Sequence, residues 1–309
     1  MRSLALALAV LASLPALAED KAEIKVNVKK GLKFTRTSTA KAEGKCSLGG
    51  GGGGISLNVD ITMNASLKSA EEVLDAKSGA PVHVRRWYQE RRMELNLSMF
   101  GGEQTQTHPL EGADITLGPG DKRGPTAAGS KLDEDLLKKE PFGDPLTAAI
   151  ASGKVVSVGN TWDADKDKTK EWLQTEFPGF DASEAEMQCK LGEIRDKDGV
   201  KCARVEIDLT AKGKIAAQGA PSSDVTITLK GDVFWALDAG IVVNVKADGK
   251  IKGDLDVKTM NNGEESKMKI DLTLEWRTSV KTGEADFTGA KPVDKPKPVK
   301  PEYYPPPVR

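Results

Sequence analysis

Apolar and polar positions alternate along residues 187–276 so regularly that the stretch reads as one antiparallel β-meander. Val205, Ile207 and Leu209 fall in phase, then Val225, Ile227 and Leu229, then Met268, Ile270, Leu272, Leu274 and Trp276. Three Gly-ended triplets, Lys197-Asp198-Gly199, Asp238-Ala239-Gly240 and Ala247-Asp248-Gly249, have the form of three-residue hairpin loops. With 238–240 as a loop, Leu237 faces Ile241, Trp235 faces Val243 and Val233 faces Val245. With 247–249 as a loop, Val245 faces Ile251 and Ile241 faces Leu255. All of these share one dry face, because side chains alternate along a strand. The other face carries Asn244, Lys246, Lys252, Asp254 and Asp256, with Phe234 as an apolar exception. Gly231 and Gly253 are places for the sheet to bend.

The N-terminal half follows the same rule. Ile24, Val26 and Val28, then Leu32 and Phe34, alternate with polar residues. A long strand follows with Ile55, Leu57, Val59, Ile61, Met63, Ala65 and Leu67 in phase. Strands are also expected at 82–90, at 91–99 and at 113–117. The six glycines at 49–54 lack the Lys, Ser/Thr and following helix of a phosphate cradle, so they read as a flexible hairpin loop.

Between the halves the period changes to helical. Ser130 with Asp133 or Glu134 opens one short helix that Pro141 stops. Asp144-Pro145 caps a second, leading into 146–151, and a third spans 166–176 with Trp172 and Leu173. The expected fold is therefore mainly β with a few short helices: a long antiparallel meander forming a curved sheet or half-barrel. Its segments are a signal peptide at 1–18, a β half at 19–124, a helical connector at 125–186, a β-meander at 187–289 and a Pro/Lys-rich disordered tail at 290–309.

Arg2, the apolar run 4–14 and Ala16-Leu17-Ala18 form a secretory signal, too short to span a bilayer, so the chain is expected to be exported, periplasmic or secreted. A net charge of −1 speaks against nucleic acid as a partner. Export permits disulfides, but Cys189 is expected opposite Ile207 and Cys202 opposite Ile194, on opposite faces, which excludes a bridge between them. Cys46 could bridge one of them, or all three could be free thiols.

Catalytic signals are weak. The two histidines, His83 and His108, stand in separate contexts, and no hydrolase or metalloprotease motif occurs. Asp163, Asp165 and Asp167 open like a calcium loop, but Lys168 and Gln174 stand where it needs Gly and Glu, so a helix cap is the better reading. The expectation is a non-enzymatic protein with no catalytic residue, metal or cofactor. It would bind an apolar ligand, a lipid or a lipoprotein against the dry face, at Trp235, Val243, Val245 and Leu272. The alternative is an envelope structural or interaction protein with no small-molecule ligand, touching an envelope component through the tail.

Four stretches carry a resemblance: Glu72-Val73-Leu74-Asp75, Val84-Arg85-Arg86-Trp87-Tyr88, Pro109-Leu110-Glu111-Gly112 and Val158-Gly159-Asn160-Thr161-Trp162. In these the chain resembles a group of uncharacterised exported bacterial β-rich proteins, although Asn160 stands where Asp is usual. Its layout is similar to the LolA/LolB-type lipoprotein-carrier fold. That layout implies long curved antiparallel strands with a few helices, and the uncharacterised group supplies no catalytic residue to transfer.

Overall fold

In the computed structural model, residues 21–48, 57–97, 102–119, 124–125, 132–177, 180–215, 223–258 and 265–290 are described. The signal segment, the glycine run and residues 291–309 of the tail lie outside them.

The chain opens with β1 (Lys21–Glu23), then β2 (Lys33–Leu48), β3 (Leu57–Lys77) and β4 (Ala80–Leu97). Short strands follow: β5 (Gly102–Thr107), β6 (Asp114–Leu117) and β7 (Gly124–Pro125). Then come α1 (Glu134–Lys139), α2 (Pro145–Ile150), β8 (Val155–Ser157), β9 (Thr161–Asp163) and α3 (Lys166–Glu176). The C-terminal meander is β10 (Phe180–Lys197), β11 (Val200–Ile215), β12 (Ser223–Ala236), β13 (Ile241–Lys258) and β14 (Glu265–Thr282).

Twelve of these strands form one antiparallel sheet in the order β7-β6-β4-β3-β2-β14-β13-β12-β11-β10-β9, with β5 beside β4. The halves expected from sequence are joined by the ladder between β2 and β14, where Ala40 faces Trp276 and Gly44 faces Leu272. The path ends on β7 and β9, so the sheet is not closed into a barrel. β1 and β8 make a separate two-stranded ribbon.

The predicted dry face runs across seven adjacent strands, from β10 to β3. One rung reads Met187, Leu209, Leu229, Gly249, Leu274, Ala42, Met63. The next reads Ala185, Ala211, Ile227, Ile251, Leu272, Gly44, Ile61. On the opposite face Phe234 is buried beneath the Arg195 guanidinium at 5.1 Å and the Lys197 ammonium at 4.9 Å from its ring centre. Both side chains come from the end of β10, two strands away across β11.

Several expectations of register change. Asp198 (φ 53°) and Gly199 (φ 80°) form a two-residue turn with Lys197 paired to Val200, not a three-residue loop. A bulge at Leu191/Glu193 then restores the pairing of Cys189 with Ile207, whereas Cys202 faces Arg195 rather than Ile194. The three cysteines are buried and free. The loop before β13 holds four residues, 237–240, so Leu237 does not face Ile241; Ala236 does.

The hairpin expected at 247–249 does not form. Asp248 and Gly249 continue through the middle of β13, with Gly249 between Leu229 and Leu274, so the pairings of Val245 with Ile251 and of Ile241 with Leu255 are absent. A Cβ on Gly249 would lie 1.7 Å from the Thr228 carbonyl oxygen, so close strand approach is what needs glycine here. Likewise, 82–90 and 91–99 are not two strands: β4 runs through both up to Leu97, with a register shift opposite Lys68/Ser69.

The helices form where their caps place them. Asp144 accepts from the Leu146 and Thr147 N–H groups, and Asp165 from that of Lys168. Asp133 caps α1 in the same way through Asp135. α2 and α3 lie on the dry face, with the Trp172 and Trp276 ring centres 4.8 Å apart. α1 supplies Leu137 to a second apolar cluster with Val73, Val84, Tyr88, Leu110 and Ile115.

Candidate functional site

The dry face changes character at one end of β2, β3 and β4. Three successive inward rungs read Ser38, Leu67, Arg91; then Arg36, Ser69, Tyr88; then Phe34, Glu71, Arg86. Polar side chains here occupy positions in phase with the apolar run Ile61, Met63, Ala65. Helix residues meet them from above. Glu140, just past α1, accepts from Arg91 Nη1 at 2.6 Å and from the Tyr88 hydroxyl. Asp144, the cap of α2, pairs with Arg36 at 3.0 Å. Glu71 pairs with Arg86 at 2.9 Å. Glu176, the last residue of α3, accepts from Ser38 Oγ at 3.0 Å, and Trp276 Nε1 donates to that same oxygen at 3.1 Å.

The group holds three guanidiniums, each bonded to a carboxylate, and Glu176 as a fourth carboxylate. Buried charges persist only when paired in this way. Burial would raise Glu140, but Arg91 and Arg86 overcome it and hold the carboxyl below its usual range. For Glu176 burial wins over the pull of Arg36, and its carboxyl is pushed up. Burial lowers His108 to about 4, aided by Arg91, so its ring is neutral at pH 7. Its Nδ1 accepts from the Leu110 N–H.

Beside this group lies a cleft of about 80 Å³. Its polar end is Ser38, Arg91, His108 and Glu176, and its apolar floor is Ala40, Ala65, Leu67 and Met93. The floor continues along β3 into Met63 and Ile61, which stay partly exposed, as do Ala65, Leu67 and Met93. The corresponding C-terminal positions are closed: Ile207, Leu209, Ile227, Leu229 and Ile251 are all buried. One face is thus sealed over the C-terminal strands and open over β3 and β4.

The residues singled out from sequence fall on the sealed part. Trp235 and Val245 are 0 % exposed and Leu272 is 6 % exposed, all within the main core. Val243 separates from them. A bulge pairs Trp235 with Val242 and Phe234 with Asn244, leaving Val243 as the extra residue, packed toward the second cluster. Arg36, Ser38, Glu71, Arg86 and Arg91 were not singled out, although their in-phase positions among apolar neighbours mark them as inward-facing. Three of the resembling stretches meet here: Val73, Val84, Tyr88 and Leu110 share the second cluster, and Glu111 accepts from the Arg91 N–H.

His83 pairs with Asp75 across β3 and β4, away from His108. Asp163 sits in β9 and Asp165 caps α3. Among the described residues no group of three or more His, Cys, Asp or Glu side chains is gathered to hold a metal ion. No described helix is long and apolar enough to cross a membrane.

No family model matches the chain, and no curated protein matches it in sequence. Among solved structures it is similar to lipovitellin, in a structure titled for lipid–protein interactions, at 8 % identity and a TM-score of 0.39. That match covers 86 % of this chain and 26 % of that one, so the chain spans about a quarter of the length of lipovitellin. DynF from the dynemicin biosynthesis pathway of Micromonospora chersina aligns over 82 % of both chains at 10 % identity and a TM-score of 0.22. An outer membrane channel from Pseudomonas putida F1 aligns over 82 % of this chain and 97 % of its own, at 8 % identity and a TM-score of 0.21. At these scores the likenesses carry no functional argument, and the resemblance to LolA/LolB-type carriers gains no support from them.

Proposed function

We propose that this protein is an exported, non-enzymatic binding protein that holds an apolar ligand on the open part of its dry face, over β2, β3 and β4. The supporting observation is the uneven cover of that face: sealed along the C-terminal strands, partly exposed at Ile61, Met63, Ala65, Leu67 and Met93 around the cleft. A contiguous apolar surface rimmed by polar groups suits a ligand with an apolar body. The ligand site thus shifts along the face from Trp235, Val245 and Leu272 to Ala65, Leu67 and Met93. Native mass spectrometry of the protein purified gently from its own host tests the reading. A bound species of acyl-lipid mass is expected, and a clean apo mass in repeated preparations would overturn it.

A second reading, an envelope structural or interaction protein, draws on one contact set. Residues 283–289 cross the outer face of β4, with Arg85 stacked on Phe287 at 4.2 Å and Gly289 against Trp87. This fixes the point from which the Pro/Lys-rich tail departs. Deleting 290–309 should then release the protein from the envelope fraction, and unchanged association would count against it.

A further inference from the structure

Building on the apolar-ligand reading, we propose that the ligand is a single-chain carboxylic acid, its carboxylate held by the free edge of Arg91 and its chain laid along Ala65, Met93 and Met63. Arg91 is 8 % exposed and lines the cleft. Only its Nη1 is bonded to the described residues, to Glu140, and none of its other N–H groups is a sealed, unbonded donor. A buried guanidinium that stacks on the Tyr88 ring, is bonded through Nη1 and lines an open cleft is suited to receive a carboxylate on its remaining N–H groups.

Two features narrow the class. The cleft, about 80 Å³, is smaller than the cavity of roughly 150 Å³ that takes up benzene. It therefore accepts a head and the first carbons, while the rest of one chain lies on the open floor. Its walls offer donors at Arg91, and Glu176 faces the same space with Ser38 already bonded to it. Burial favours the neutral form of Glu176, which lessens its repulsion of an anionic head. A cationic head would meet Arg91 with no unbonded carboxylate opposite it.

The test uses the full chain, stripped of bound lipid, and displacement of anilinonaphthalene sulfonate fluorescence by dodecanoate, dodecanol and dodecyltrimethylammonium. Dodecanoate should displace the dye at concentrations at least about tenfold lower than dodecanol, the size expected of charge-assisted hydrogen bonds. The preference should collapse in Arg91→Met/Glu140→Gln, which removes both members of a pair, while dodecanol still binds. Arg91→Lys keeps the charge toward Glu140 and loses the planar edge, so it should lose the preference with the fold intact by circular dichroism. Equal displacement by all three heads, or a preference retained in both variants, would overturn the carboxylate inference and leave the apolar site standing. Displacement by none of them would overturn the apolar site itself.

Discussion

Glu176 and His108 face each other's surroundings across the cleft and pull stability in opposite pH directions. The folded protein binds a proton at Glu176 more tightly than the unfolded chain does, because its carboxyl is buried. That contribution is complete below the ordinary carboxylate value and is lost as pH rises through the raised folded value. His108 behaves oppositely. Burial lowers it from 6.5 to about 4, so its contribution is complete above 6.5 and is lost as pH falls toward 4. The two contributions therefore oppose each other where their windows overlap, and single variants separate them in melting temperature against pH. Glu176→Gln should remove the loss that sets in as pH rises above the ordinary carboxylate value, and His108→Asn the loss between 6.5 and 4. A loss unchanged in its own variant would show that the group does not cause it. At lower pH a further loss remains, as Glu140 is protonated through its depressed value.

At the level of elements, the junction between α2 and β13 depends on one hydroxyl. The bulge that displaces Val243 also lifts the Val242 N–H out of the ladder, and Thr147 Oγ1 accepts from it at 3.1 Å. The same hydroxyl donates to the Asp144 cap at 2.6 Å. Thr147→Val keeps the shape and removes both bonds, leaving a buried N–H unpaired, at a cost of about 1–3 kcal/mol. Thr147→Ser should stay nearer wild type. Urea denaturation measures this, and a Thr147→Val midpoint equal to wild type would mean that the hydroxyl does not fasten the bulge. Helix positions were legible from sequence because caps and stops are local: Asp144-Pro145 and Asp165 act within a few residues. The turn expected at Asp248-Gly249 was not legible from composition. An Asp-Gly pair suits a turn, but the unbroken alternation of Val245, Ala247, Gly249 and Ile251 through it is the stronger signal.

At the scale of the molecule, the ladder between β2 and β14 makes the two β halves one sheet. Neither half can bury its share of the dry face alone, and α2 and α3 pack onto strands of both. We therefore expect a single unfolding transition, seen together by tryptophan fluorescence and far-ultraviolet circular dichroism, with slow refolding because the first long strand must find the last. Two separated transitions would indicate independent halves.

By itself the sequence determined what short-range chemistry can specify: the strand periodicity, the dry and charged faces, the helix caps, and the placement of Cys189 and Cys202 on opposite faces. Only the tertiary structure decided which part of the dry face is covered. Cover depends on where α2 and α3 land and on the pairing of β2 with β14, contacts between residues far apart in the chain with no local signature. For the same reason the inward positions of Arg36, Glu71, Arg86 and Arg91 read from sequence as ordinary charge. Their partners Asp144 and Glu140 arrive from the helical connector, and Glu71 and Arg86 meet only through a register that two irregularities in β3 and β4 adjust.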